Sequence, residues 1–294
     1  MYINGNPMAG NVANTLTSHY SDLSTSTERL STGLRINSAA DDAAGLAIRE
    51  LMRSNVTALQ QGVRNANDAI SLIQTADGAL GVIDEKLIRM KELAEQAATG
   101  TYDSTQRLMI ESEYQQMASE ITRIANATDF NGLHLLNGNL SSDSHNGATD
   151  TPTGKLKVHF GNGNDSTEDY YYIQIGNCTA SALGVGNSTA AGTAGYTVST
   201  QEQAQKALVG LTHAIVSKDK IRANLGAVQN RLENTITNLN TQSENLQSAE
   251  SRISDVDVAN EMTNFVKNQI LTQSAVAMLS QANSMPQMAM SLIR

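Results

Sequence analysis

Residues 46–99 read LAIRELMRSNVTALQQGVRNANDAISLIQTADGALGVIDEKLIRMKELAEQAAT and contain no proline. Met52, Val56, Leu59, Val63, Ala66, Ile70 and Ile73 recur at alternating steps of four and three. After a short phase shift, Ala76, Leu80, Ile83, Leu87, Met90 and Ala94 resume the rhythm. A strand needs period two; this is the narrow seam of a coiled coil. One continuous helix here would be roughly 80 Å long. Such a helix buries a single stripe and is not stable alone, so the chain must supply its partner.

That partner lies in the other half of the chain. Leu225, Leu232, Leu239, Leu246 and Ile253 fall seven residues apart, Val228 and Val256 fill half-steps, and residues 202–256 also lack proline. Ser199 and Glu202 have capping-box spacing, which predicts the helix start. Two helices of matched length predict an antiparallel rod. Gly100 stops the first helix, and Ser104 and Thr105 open a shorter one. Its stripe of Ile110, Tyr114, Met117, Ile121 and Ile124 predicts a third member folded back beside the first. Asp129 to Gly132 reads as a turn.

Composition narrows the class. The chain has 294 residues, 4% aromatics and no tryptophan. Burial therefore falls to Leu, Ile, Val, Met and Ala, as in thin bundles. A net charge of −9 argues against nucleic acid, whose recognition concentrates Lys and Arg. The single cysteine, Cys178, excludes an intrachain disulfide and reads as inert. No apolar run is long enough to span a membrane. No Lys or Arg precedes Arg29 and there is no apolar h-region, so no cleaved signal peptide is expected.

The ends are less regular. Pro7 suits a helix start, and Val12, Leu16, Leu23 and Leu30 mark a weak stripe that Gly33 closes. Asp41 and Asp42 suit the positive end of the long helix; read as an acid–base pair, they lack a cleft and partners. At the C-terminal end, Met262, Phe265, Val266, Ile270, Val276 and Leu279 form a wide apolar face. Met278, Met285, Met288 and Met290 suit a partner groove, or packing between neighbouring subunits.

Residues 28–39 (ERLSTGLRINSA) followed by 41–48 (DDAAGLAI) closely resemble the N-terminal signature of bacterial flagellins; Ala40 stands where many relatives carry lysine. Phe130-Asn131-Gly132 with its following leucines is similar to the same family, as are 222–232 (RANLGAVQNRL), 251–257 (SRISDVD) and 281–286 (QANSMP). The resemblance covers residues 1–138 and 200–294, with Pro7 and Pro286 bracketing the helices.

Residues 139–199 differ, being rich in Gly, Ser, Thr and Asn. Lys155 to Phe160 alternates strictly, as do Tyr171, Ile173 and Ile175, and residues 161–169 form a polar loop between them. This predicts a hairpin with one buried face, its other face toward solvent, and Tyr196 and Val198 as a third short strand. Pro152 sits in this insert. The five histidines lack the i,i+4 pairing of a zinc helix, and the glycine-rich stretches lack a phosphate-loop lysine. Neither catalytic residues nor metal ligands nor a cofactor are expected.

The expected fold is mainly α: a long antiparallel coiled-coil bundle built from both chain ends, with a small β-hairpin insert. Three parts are expected: residues 1–45 with 255–294 as a terminal helical domain, 46–138 with 200–254 as the long-helix bundle, and 139–199 as a reduced outer domain. The resemblance implies a non-enzymatic subunit that is secreted and polymerises with itself into the extracellular flagellar filament used for swimming. Polymerisation would use Val12, Leu16, Leu23, Leu30, Met262, Phe265, Ile270, Val276 and Leu279. The resemblance further implies an export chaperone, hook-associated and cap proteins as partners. It also implies recognition by the flagellin-sensing Toll-like receptor through Arg89, Leu93, Gln96 and Glu113. The hook–filament junction protein shares both signatures and stands as an alternative, as do an enzymatic flagellin and a soluble coiled-coil adhesin.

Overall fold

The computed structural model describes residues 6–144, 154–186 and 197–293, with side chains through 288. The helices are α1 (Pro7–Thr32), α2 (Ala43–Ala98), α3 (Ser104–Ala127), α4 (Ala180–Leu183), α5 (Gln201–Ser254) and α6 (Val258–Ile293). Four short strands, β1 (Asp129–Phe130), β2 (Leu133–His134), β3 (Leu156–His159) and β4 (Tyr170–Ile173), pair as two antiparallel hairpins. The expected fold class is what is found: a mainly α chain whose two ends pack together, with a small hairpin insert. Two compact units emerge, residues 1–56 with 244–294, and residues 57–243.

The terminal unit is an antiparallel pairing of α1 with α6. Asn6 lies beside Ala282, and Leu34 bridges Asp255. Asn6 caps α1 by accepting from Ala9 N at 3.1 Å, and Gly33 ends it in the left-handed region at φ 74°; both termini thereby satisfy orphaned backbone groups. The Asp41–Asp42 pair is structural. Asp42 Oδ1 accepts from Gly45 N at 2.9 Å and caps α2. The Asp41 carboxylate accepts the backbone N–H and hydroxyl of Ser38, which holds its pKa below the ordinary carboxylate value.

In residues 57–243, α2 and α5 run antiparallel: Asp84 meets Lys218, and Asp77 meets Arg222. The predicted stripes form the core. Leu80, Ile83, Leu87 and Met90 of α2 lie at 0% exposure, as do Tyr114 and Ile121 of α3 and Leu232 of α5. Arg107 on α3 donates to the carbonyls of Ala97 and Thr99, closing the C-terminal end of α2.

The β3–β4 hairpin has the one buried face that its alternation predicts, and that face is seated on the long helices. Val158, Phe160, Ile173 and Ile175 are buried, and Val158, Ile173 and Ile175 belong to the same hydrophobic cluster as the long helices. Asn65 on α2 donates to His159 O at 2.8 Å. At Gly62 the hairpin backbone lies directly on α2; a Cβ there would collide with the Phe160 carbonyl. The outer face of the hairpin carries Lys157 over Tyr170 and Lys155 over Tyr172, at 3.6 and 4.4 Å from the ring centroids.

Several boundaries differ from expectation for local reasons. Thr200, not Ser199, receives the first-turn N–H of α5, from Gln203. α3 does open at Ser104, with Asp103 as its cap and Gln106 completing a reciprocal box. The 129–134 turn carries two-residue strands because Asn131 and Gly132 both take positive φ, 51° and 81°, the backbone that closes a tight hairpin. Pro286 lies inside α6 rather than after it. Val198 is buried but not in a strand; Tyr196 and Pro152 lie outside the described residues.

Candidate assembly surface

Apolar residues recur on every side of α6, interleaved with Asn, Gln, Ser and Thr, so no single face gathers them and one partner helix cannot bury them all. Within the chain one side is covered. Glu261, Thr272, Ala275 and Ala282 are buried, and Phe265, Leu271 and Leu279 half-buried. Met262, Val266, Ile270, Val276, Met278 and Met285 are exposed. The structure therefore divides the residues expected to polymerise. Met262, Ile270 and Val276 face outward, whereas Phe265 and Leu279, with Val12, Leu16, Leu23 and Leu30 of α1, are half-buried. Their steps of three and four on α6 cannot reveal which side α1 takes; only the pairing does.

The Arg89 motif is likewise divided. The Arg89 guanidinium is exposed and bonds Glu113 Oε1 across to α3 at 2.9 and 3.1 Å, and Glu92 at 3.0 Å. These hydrogen bonds, Glu113 first, hold its pKa above the ordinary value. Gln96 is half-buried and donates to Tyr102 Oη at 3.0 Å. Leu93, four residues beyond Arg89, is 1% exposed and belongs to the core. The three positions straddle the edge of the buried stripe, so one turn of spacing takes the side chain from solvent into packing.

Two features escaped the sequence reading. Lys218 occupies the heptad position shared with Leu211 and Leu225 and is 1% exposed. Burial pulls its ammonium pKa down, but donation to Asp219 and Asp84 at 2.7 and 2.6 Å more than offsets this and leaves it raised. The apolar periodicity skips one step there, and Asp84 in the α2 seam was the available signal. The second feature is Asn6. Pro286 has no N–H, so the carbonyl four residues earlier, Ala282 O, lacks its helical donor. Asn6 Nδ2 supplies it at 2.7 Å.

Burial pushes the Cys178 thiol up to about 12. Among the described residues no cluster of His, Cys, Asp and Glu has a metal-holding arrangement, and no helix is long and apolar enough to cross a membrane. An open groove of about 350 Å³ lies between α2 and the hairpins, lined in part by Asn65, Leu72, Phe130 and Val158.

Comparison with known proteins is consistent along the chain. The family model described as the bacterial flagellin N-terminal helical region matches residues 3–141, and that of the C-terminal helical region matches residues 208–293. Flagellin FlaB2 of Treponema pallidum is 43% identical over 267 residues, 91% of each chain. The flagellar filament 33 kDa core protein of Treponema phagedenis is 42% identical over 297 residues, and flagellin of Bacillus subtilis 42% over 310, each covering both chains in full. With both helical regions matched and relatives similar from end to end, the chain belongs to the bacterial flagellin family.

Proposed function

We propose that the chain is the repeating subunit of a flagellar filament, assembled with copies of itself. The observation that carries this reading is the uncovered side of α6, where Met262, Val266, Ile270 and Val276 are held outward on an ordered helix. Repeated contacts that do not close on themselves generate a helical fibre, and they bury this side. In this reading the terminal unit lies inside the filament, the long helices form the next layer, and residues 139–199 lie outermost. The subunit is exported through the hollow filament with a chaperone on its C-terminal helices, and meets hook-associated and cap proteins at the filament ends. It acts as a swimming propeller and performs no chemistry of its own.

Seeded assembly tests this. Purified chain added to sheared filament fragments elongates them above a critical concentration. A chain that stays monomeric at every concentration overturns the reading, and a handful of copies per native filament transfers it to the junction protein.

Recognition by the flagellin-sensing Toll-like receptor belongs to the same reading. Arg89 and Glu113 offer a charged pair on adjacent helices, Gln96 extends it, and Leu93 anchors the helix from beneath. Arg89→Ala is expected to weaken reporter-cell activation with the helical signal unchanged; equal activation by the variant removes the motif from the reading.

A further inference from the structure

The exposed side of α6 is not only apolar; it is sulfur-rich. Met262, Met278 and Met285 are 45%, 59% and 43% exposed, and they are spread around the uncovered arc of the helix, as are Val266, Ile270 and Val276. A thioether packs on an apolar surface as a hydrocarbon does, yet it is the side chain most readily oxidised after cysteine. The lone cysteine is buried, so an oxidant meeting the free subunit reaches exposed thioethers: these three, together with Met8, Met109 and Met288 at 57%, 70% and 49% exposure.

We propose that these three methionines are a modification site at which a peroxide-class oxidant blocks assembly reversibly. The proposal rests on the reading of this side of α6 as the assembly surface. In the step, hydrogen peroxide transfers one oxygen atom to the sulfur. An S–O bond forms, the O–O bond breaks, the sulfur gives up two electrons and the peroxide leaves as water. The product is a strong acceptor with no hydrogen of its own. Beside Met262, Val258 and Val266 carry no side-chain donor, so packing that sulfoxide against another apolar surface leaves it unsatisfied; beside Met278 and Met285, Gln281 can donate, yet the sulfoxide still sheds its hydration when covered. The helix itself is not disturbed, because the side chains already point away from α1. Met90 of α2, at 0% exposure, is the internal control.

The test treats purified monomer with hydrogen peroxide, removes the oxidant, locates sulfoxides by mass spectrometry and measures the critical concentration of seeded assembly. Oxidation is expected at Met262, Met278 and Met285 but not at Met90, with the helical signal retained. The critical concentration rises roughly tenfold, and methionine sulfoxide reductase restores it. The M262L/M278L/M285L variant assembles before treatment and stays within about twofold of its untreated value afterwards. Full oxidation of the three sites with unchanged assembly overturns the proposal. So does equal loss in the leucine variant, which would place the damage elsewhere, as at Met8, Met109 or Met288. Failure of both untreated chains to elongate seeds overturns the assembly reading instead, and the proposal with it.

Discussion

In residues 57–243 most hidden side chains are those a core is made of, such as Leu80, Leu87 and Met90 from α2, Tyr114 from α3, and Leu211 and Leu225 from α5, with the ion-paired Lys218 among the exceptions. In residues 1–56 with 244–294, Ile36, Ala275 and Ala282 are hidden together with Ser26, Ser254, Glu261 and Thr272, while Met262, Val266 and Ile270 face outward. Buried polar atoms follow the same division. His19 Nδ1, Arg29 Nε and Asn37 Nδ2 have no hydrogen-bond partner among the described residues, and all three belong to the terminal unit. Side chains of similar chemistry have been placed inward in one unit and outward in the other. The first unit buries a continuous apolar core within one chain, although Leu108, Met109 and Val209 stay exposed; the second pairs its helices, buries little large apolar side chain and leaves most of α6's for something else to cover.

The sharpest way to break this comparison is to open the sealed unit. Leu87→Ala removes a fully buried side chain from the α2 seam and is expected to lower monomer stability by about 2–5 kcal/mol. Denaturant unfolding followed by the helical signal measures it. A loss below about 1 kcal/mol would mean that this core is loosely packed, and the contrast with the termini would fail.

Alkaline pH tests the same core by charge. The Cys178 thiol, ordinarily near 9.0, is pushed to about 12 by burial. A raised acid pKa means the folded state keeps its proton where the unfolded state has lost it, so stability falls as pH rises above about 9. At pH of about 10.5 this group alone removes about 2 kcal/mol. Burial raises the Tyr114 phenol in the same direction. Unfolding titrations between pH 8 and about 10.5 should therefore slope less steeply for Cys178→Ala than for the parent. Parallel slopes would place the thiol in contact with water.

How far the sequence predicts this architecture follows from what periodicity encodes. The α2 and α5 stripes repeat over many turns, and each repeat constrains the same face, so both rods and their antiparallel pairing were legible. So was the β3–β4 hairpin, whose inward residues alternate from Leu156 to Phe160. The hairpin's seat on α2 was not, because it depends on Gly62 being small at one point, and a lone glycine has no period. Leu93 shows the limit at a candidate site: a position at the edge of a stripe belongs to either face until the neighbouring helix is known. Asn6 and Ala282 are linked across nearly the whole chain by a missing proton on Pro286, which no local pattern announces.

That link sharpens the comparison at an intermediate scale. Asn6→Ala removes both the α1 cap and the donor to Ala282 O. In a Pro286→Ala background the helix regains its own N–H, so only the cap is lost. The cost of Asn6→Ala should thus be about 1 kcal/mol smaller when Pro286 is also replaced. Hydrogen exchange of α1 amides in the four chains of that cycle reads the difference. Additive effects would show that Asn6 acts on α1 alone.

The smallest expected effect on the monomer separates stability from assembly. Ile270 is 57% exposed, and Ile270→Ser should shift monomer unfolding by no more than about 0.5 kcal/mol. In the proposed filament the same position is covered, and on that reading replacing a buried isoleucine by a hydroxyl costs enough to raise the critical concentration roughly tenfold to a hundredfold. Leu87→Ala predicts the reverse order of effects: large in the isolated chain, with assembly reduced only through loss of folded subunit. If Ile270→Ser destabilised the monomer as Leu87→Ala does, the outward side of α6 would already be covered within one chain. The terminal unit would then be complete by itself, and no physical reason would remain for it to seek another copy.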